Sequence, residues 1–179
     1  MDAVKCITER RSIRSFKPDA VSEELLRSVV ETASYAPSWK HSQTARYIAV
    51  TGEKKAELAK YTTIWAGNGA IIESAPVVMA LCSIKSRSGY ERDGSPSTVR
   101  GDYWQHFDAG IAAEAYCLAA YEKGLGTVIL GLFDYDDVAK LLALPENMEV
   151  AALIPTGFYE EHPAAPKRKD VNDLLTIIS

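Results

Sequence analysis

Apolar and polar positions recur along the chain with two periods, and these periods predict where helices and strands lie. The helical period predicts a short helix over residues 2–11 with Asp2 as its N-cap, and a second helix that begins after Ser22. A third helical stretch covers residues 53–74, with a break expected around the sequence GNG at positions 67–69.

The longest helical pattern lies in the second half of the chain, over residues 103–123. Asp102 is expected to cap this helix, and Gly124 stands where a glycine commonly ends one. The many alanines of this helix would let another helix approach closely. A further short helix is predicted to open at Asp134.

Short, nearly continuous apolar runs predict strands that are buried in a sheet. Four such runs occur, namely RYIAVT (46–51), PVVMALCS (76–83), TVILG (127–131) and VAALIPTG (150–157). Long helical stretches separate the runs, which favours a single mixed α+β domain over residues 1–179, with helices packed around a central sheet.

Residues 84–101, IKSRSGYERDGSPSTVRG, follow neither period. The segment is polar, rich in glycine and serine, and poor in residues that could join a core. Two interpretations stay open for it within the domain: a mobile excursion, or a lid over a site.

The overall charge limits the classes of partner. The 179 residues carry a formal net charge of -4 and a pI near 5.4, which argues against a nucleic-acid or anionic-membrane surface. No apolar run reaches the roughly 18 to 20 residues of a membrane span, and the N-terminus lacks the apolar core of a signal peptide. We therefore expect a cytoplasmic protein.

The cysteines support the same compartment. Cys6, Cys82 and Cys117 are odd in number and widely spaced, which is typical of reduced, buried thiols and gives no metal-ligand spacing. No metal site is predicted.

One local concentration of positive charge stands out on this acidic chain. The sequence RRSIR places Arg10, Arg11, Ser12 and Arg14 together, with the first two expected to finish a helix and the others in an extended connector. Residues 12 and 14 of an extended segment point to the same side, where guanidinium and hydroxyl groups suit a phosphate. The alternative is a solvated, dipole-compensating helix end.

The absence of two common motifs narrows the type of phosphate-binding site. The chain has neither G-x-G-x-x-G nor G-x-x-x-x-G-K-S/T, which argues against a Rossmann turn or a P-loop. A small phosphorylated cofactor held by arginines is the better candidate.

Four sequence motifs in the same order resemble the nitroreductase family of FMN-dependent oxidoreductases. They are RRSIRSF near the N-terminus, APSWKHSQTARYIAV at 36–50, GLGTVILGLF at 124–133, and EVAALIPTGF before a basic tail. The resemblance implies an α+β fold with a central, mostly antiparallel sheet surrounded by helices. It also implies an intertwined homodimer with two FMN sites at the subunit interface, and NADH or NADPH as electron donor.

The resemblance also implies roles for particular residues. Arg10, Ser12 and Arg14 would bind the FMN phosphate and ribityl chain, with Arg11 adjacent, and Arg168, with Lys167 or Lys169, would return from the tail to the phosphate. Asn68 is a candidate for the pyrimidine edge of the ring. The remaining residues would lie beside the flavin ring: Pro37, Ser38, His41, Gln43, Leu130 and Gly131.

This chain departs from the family pattern at three positions. His41 stands where the family often has Asn, Thr44 where Pro commonly follows the Gln, and Leu132 replaces a frequent second Gly. The first departure alters the expected hydrogen bonds to the flavin.

The resemblance predicts an enzyme whose chemistry takes place at N5 of FMN, with hydride from NAD(P)H and a small flat acceptor such as a nitroaromatic or a quinone. A ping-pong mechanism is expected, and no side chain is nominated as catalytic. Two alternatives stay open: the same fold used for reductive dehalogenation, flavin fragmentation or azoline oxidation, and a non-enzymatic FMN storage or sensing protein.

Overall fold

The computed structural model describes residues 2–62 and 66–179. Within them lie seven α-helices and four strands. The helices are α1 (Ala3–Glu9), α2 (Glu23–Ala33), α3 (Gly52–Lys60), α4 (Ala66–Ser74), α5 (Tyr103–Glu122), α6 (Tyr135–Leu141) and α7 (Val171–Leu174). The strands are β1 (Ala45–Val50), β2 (Val77–Ile84), β3 (Gly126–Thr127) and β4 (Met148–Gly157).

The strands form one antiparallel sheet in the order β1-β2-β4-β3. Val78 of β2 pairs with Val50 of β1 on one side and with Pro155 of β4 on the other. The predicted α+β fold with a central antiparallel sheet is therefore confirmed.

Both faces of β2 are buried, because its side chains alternate between two apolar clusters. Val78, Ala80 and Cys82 pack with residues of α3, α4 and α6. Met79 and Leu81 point the other way and pack with α2 and α5. A strand covered on both faces has no polar face to show, which explains the continuous apolar run of its sequence.

The predicted helix starts are confirmed at three positions, where a side chain accepts a backbone N–H of the first turn. Asp2 caps α1, Ser22 caps α2 and Asp134 caps α6. Asp102 does stand at the N-cap position of α5, but the expected side-chain cap is wrong. The backbone of Asp102 is already helical, and its carboxylate accepts a hydrogen bond from the Tyr90 hydroxyl instead of a helical N–H.

Three predicted boundaries are also wrong. Helix α1 ends at Glu9, so Arg10 and Arg11 lie outside it. The GNG sequence lies inside α4, and the preceding helix α3 already ends at Lys60, before residues 63–65, which are outside the described residues. The TVILG run forms only the short strand β3 and an isolated bridge from Leu130 to Leu153, which continues the register of β3 along β4.

Residues 85–101 form turns, with one bridge between Tyr90 and Pro96. Gly89 shows how tightly the segment packs. Its φ is +85°, and a Cβ on it would lie 2.5 Å from the carbonyl oxygen of Gly101 and 3.1 Å from the Cβ of Trp104. A side chain at this position is excluded by both conformation and space.

None of the helices in the described part of the chain is long and apolar enough to cross a membrane.

Candidate functional site

The connector between α1 and α2 presents polar groups on one side because it is extended beside the sheet edge. Ser12 forms a bridge with Thr127 of β3, and the Ile13 N–H donates to the Thr127 carbonyl at 2.9 Å. The Ile13 side chain is only 3% exposed. Ser12 and Arg14 therefore point away from the core on the opposite side.

The three arginines occupy different surroundings. Arg11 folds back, and its Nη1 donates to the carbonyl oxygens of Thr8 and Arg10, each at 2.8 Å. Arg10 lies 3.8 Å from a carboxylate oxygen of Glu114 on α5, and its buried Nε has no hydrogen-bond partner within the described residues. Arg14 is exposed and makes one long contact, 3.5 Å, to the carbonyl of Ser12. Arg10 and Arg14 thus have donors free for a ligand, whereas Arg11 uses its Nη1 within its own segment, although its buried Nε also has no partner among the described residues.

A second group of predicted residues follows β3. The Leu130 N–H donates to the Leu153 carbonyl at 2.8 Å, and the Leu130 carbonyl accepts the Leu153 N–H at 3.0 Å, so the Leu130 N–H is not free for a ligand. A Cβ added to Gly131 would meet nothing within 4 Å. The packing of this chain does not require a glycine there, which leaves room beside the backbone for a ligand.

Asn68 joins this second group. Its side chain is 2% exposed, and its Nδ2 donates to the Leu132 carbonyl at 3.0 Å. Its Oδ1 is buried and has no hydrogen-bond partner among the described residues. A buried, unpaired acceptor is costly and suits a site that a donor-bearing ligand completes, such as the pyrimidine edge of a flavin.

The loop over residues 37–43 has an unusual backbone. Trp39–His41 form a single 3₁₀ turn, and Lys40, His41 and Gln43 have φ values of 44°, 56° and 48°. Non-glycine residues rarely adopt this left-handed region, and each one costs conformational energy. The His41 Nε2 and Gln43 Nε2 atoms lie 3.0 Å apart on the exposed side of the loop.

Asp108 of α5 anchors that loop from beneath. Its carboxylate accepts the Trp39 N–H at 3.0 and 3.1 Å and lies within 3.4 Å of the Ser42 hydroxyl. It also accepts the Ser88 hydroxyl of the 85–101 segment at 2.6 Å. Asp108 was not among the residues predicted from the sequence. The available signal was an acidic residue in the buried stripe that continues through Ala112 and Tyr116.

Further contacts tie the 85–101 segment to the same loop. The Lys40 ammonium lies 2.6 Å from the Glu91 carboxylate, which also accepts the Ser97 hydroxyl. These hydrogen bonds, the one from Lys40 first, hold the pKa of Glu91 below its usual range. The Trp39 and Trp104 rings lie 4.4 Å apart between their centroids, and Trp104 donates to the Thr98 hydroxyl.

The predicted site residues form separate groups in this single chain. Within the described residues, no hydrogen bond or ion pair joins the connector arginines to the 37–43 loop, or either one to Lys167–Lys169. The start of the tail does reach the connector: the Lys17 N–H donates to the Phe158 carbonyl, and His162 contacts the Glu9 carbonyl. Beyond that point residues 163–179 are exposed.

The three cysteines are free and buried, as predicted. Burial raises the pKa of the Cys82 and Cys117 thiols to about 11, so both stay protonated at neutral pH. Because the thiolate is the nucleophilic form, neither cysteine is suited to covalent chemistry.

Comparison with known proteins matches this geometry to one family. The nitroreductase family model matches residues 7–66 and 61–158. The NADPH-flavin oxidoreductase of Vibrio harveyi is 30% identical over 176 residues, which span 93% of this chain and 70% of that protein. The FMN reductase (NAD(P)H) of Bacillus subtilis is 30% identical over 159 residues, which span 81% of this chain and 61% of that protein.

The solved structures show the same fold. The structure of B. megaterium NfrA2 superposes with a TM-score of 0.84 at 31% sequence identity. The superposition covers 98% of this chain and 74% of that one.

Proposed function

This chain belongs to the nitroreductase family, and from that premise we propose that it is a homodimeric, FMN-dependent NAD(P)H oxidoreductase. Its acceptor is a small flat molecule, such as a nitroaromatic or a quinone. The whole chain forms one FMN-binding domain, and residues 84–101 are the lid beside the acceptor.

The outward direction of Ser12 and Arg14 beside β3, with Arg10 close by in sequence at the end of α1, carries this proposal. Guanidinium groups and a hydroxyl gathered in one short segment match the oxygens of a phosphate ester. Each charge-assisted hydrogen bond is worth roughly 1.5 to 3 kcal/mol, so two or three together anchor a cofactor. The buried Arg10 Nε without a hydrogen-bond partner fits the same use.

The ring of the flavin would lie against the second group. The unpaired Asn68 Oδ1 accepts from its pyrimidine edge, and the open space beside Gly131 admits the flat ring without a clash. The name of the Vibrio harveyi relative, an NADPH-flavin oxidoreductase, supports the same cofactor class and the same electron donor.

The separation of the predicted residues supports a shared site. We propose that the 37–43 loop of one subunit completes the flavin pocket built by the connector of the other, and that Arg168 reaches the phosphate only in the dimer. Exposed apolar side chains on α1 and in the tail, among them Ile7 and Ile178, supply surface for such an interface.

When bound, FMN supplies the hydride chemistry at its N5 atom, which protein side chains cannot do themselves. The protein binds the phosphate, orients the ring and holds nicotinamide and acceptor in turn against one face, and positioning of this kind accounts for most of the rate. A single pocket used in turn gives a ping-pong sequence, in which the nicotinamide product leaves before the acceptor enters.

Cofactor analysis and steady-state kinetics test this function directly. Purified protein should be yellow, release FMN rather than FAD on denaturation, and oxidise NADH or NADPH with nitro, quinone or halogenated acceptors. Double-reciprocal plots at several acceptor concentrations should be parallel. A colourless protein that takes up no added FMN would refute the function, while tight FMN binding with very slow turnover would indicate storage instead.

A further inference from the structure

Asp108 combines burial with an unusual set of partners. Its side chain is 5% exposed, and within the described residues no cationic side chain forms an ion pair with it. Three donors surround it instead: one backbone N–H from Trp39 and the hydroxyls of Ser42 and Ser88. Burying a carboxylate lowers stability unless hydrogen bonds replace those that it made to water. Here the replacing hydrogen bonds come from two separate chain segments.

Packing alone does not hold the 37–43 loop in place. A cavity of about 320 Å³ lies behind it, lined by Ala36, Pro37, Gln43, Tyr47 and Asp108 among others. The loop also carries three left-handed non-glycine residues, a conformation that persists only where the surroundings enforce it. With open space beside a strained backbone, the loop is held to α5 by the Asp108 hydrogen bonds and by the contact between the Trp39 and Trp104 rings.

The same carboxylate reaches the 85–101 segment. Ser88 is fully buried and donates its hydroxyl to Asp108 at 2.6 Å. One helical turn earlier, the buried Gln105 accepts the Ser86 N–H at 3.1 Å. Both residues lie on one face of α5, which thus anchors the start of the segment close to the loop.

We infer that Asp108 is a positioning residue that locks the 37–43 loop and couples it to the 85–101 segment. It presents His41 and Gln43 in the geometry that the flavin ring requires, without touching the flavin. This role rests on the proposed function insofar as the flavin is the ligand, but the coupling of the two segments does not depend on it.

Hydrogen exchange of the apoprotein tests the coupling without any cofactor. In Asp108→Asn, amides 39–43 and 86–91 should both exchange at least about tenfold faster, since an amide cannot accept from all three donors. Ser88→Ala should loosen only residues 86–91. Tyr116→Phe is the matched control, because it removes a buried hydrogen bond to Thr156 from the same helix and should leave both segments unchanged.

FMN binding, followed by quenching of flavin fluorescence, tests the positioning. Asp108→Asn should weaken FMN affinity about tenfold or more, whereas Tyr116→Phe should change it less than about threefold at a similar loss in Tm. Equal affinities in these two variants would overturn the positioning role. Wild-type protein that binds no FMN would refute the proposed function, while the exchange data would still decide the coupling.

Should Asp108→Asn fail to fold, Ser88→Ala tests whether Asp108 anchors the 85–101 segment. Faster exchange confined to residues 86–91 supports Asp108 as an anchor of this segment in addition to the 37–43 loop. Unchanged exchange in both segments would show that the Ser88 hydrogen bond does not hold the 85–101 segment and would overturn the inference.

Discussion

Ser12 and Arg14 share one side of the connector because Ile13, between them, is buried in the core. Side chains alternate along an extended backbone, so burying residue 13 turns residues 12 and 14 outward. The Nη1 atom of the Arg11 guanidinium donates to the Thr8 and Arg10 carbonyl oxygens at the end of α1. Three arginines that are close in sequence are therefore not equivalent in what they can bind.

Alanine substitutions of the three arginines should show this inequality. Arg10→Ala or Arg14→Ala should weaken FMN binding roughly ten- to a hundredfold each, through the lost phosphate bonds. Arg11→Ala serves as the matched control and should have a smaller effect. FMN affinity is measured by fluorescence titration of the apoprotein. Equal, negligible effects at all three positions would support the alternative that these arginines are only a solvated helix end.

The contact between the connector and β3 depends on a glycine. A Cβ on Gly126 would lie 2.6 Å from Cγ1 of Ile13 and 2.8 Å from Cδ1 of Tyr159, so no side chain fits between the strand and the connector. The close approach allows the Ile13 N–H to bond with Thr127, and it thereby sets where Ser12 and Arg14 stand.

Gly126→Ala should therefore weaken FMN binding, although Gly126 is not itself proposed to contact FMN. The added methyl group would push Ile13 outward and displace the phosphate residues on either side of it, while overpacking lowers stability by roughly 1 to 3 kcal/mol. The double variant Gly126→Ala with Ile13→Ala removes the shortest of these contacts, the one to Cγ1 of Ile13, and should recover part of the affinity. Thermal unfolding and FMN titration measure both effects; an unchanged affinity in Gly126→Ala would contradict the coupling.

Helix α5 touches both halves of the predicted site. Asp108 near its start holds the 37–43 loop, and Glu114 further along lies beside Arg10. The two positions are six residues apart, which corresponds to roughly 9 Å along a helix axis. This helix therefore relates the loop to the connector within one chain, although no direct bond joins them among the described residues.

The tail from residue 163 onward leaves the body of its own chain. Its apolar side chains, such as Leu174, Ile177 and Ile178, are largely exposed, the last of them 92% exposed. Hydrophobic surface of this extent on an extended arm is typical of a segment that packs against a partner. The arm also carries Lys167, Arg168 and Lys169, so the proposed dimer contact and the proposed phosphate site draw on the same segment.

Two tail variants separate these roles. Replacing Ile177 and Ile178 with Ser should weaken the dimer, because burying each isoleucine contributes roughly 1.5 to 3 kcal/mol. Replacing Lys167, Arg168 and Lys169 with Ala should keep the dimer and weaken FMN binding. Sedimentation equilibrium should give wild type at twice the chain mass of 19.6 kDa; a wild-type monomer at every concentration would refute the dimer.

Local patterns in the sequence were sufficient for much of the fold. The caps at Asp2, Ser22 and Asp134 and the buried strand β2 depend on side chains within a few residues of the backbone they serve, so their signals are visible in short windows. The expectation of a mostly antiparallel sheet came from a family resemblance that extends along the chain.

The tertiary structure alone decided the features that depend on distant partners. Asp108 contacts Trp39 and Ser42, which are 69 and 66 residues away in sequence, and no local sequence pattern predicts such contacts. Asp102 failed as a cap because its backbone continues the helix and Tyr90 bonds its side chain. Spacing in the sequence fixes which way a side chain turns, but the partner it meets depends on how the whole chain packs.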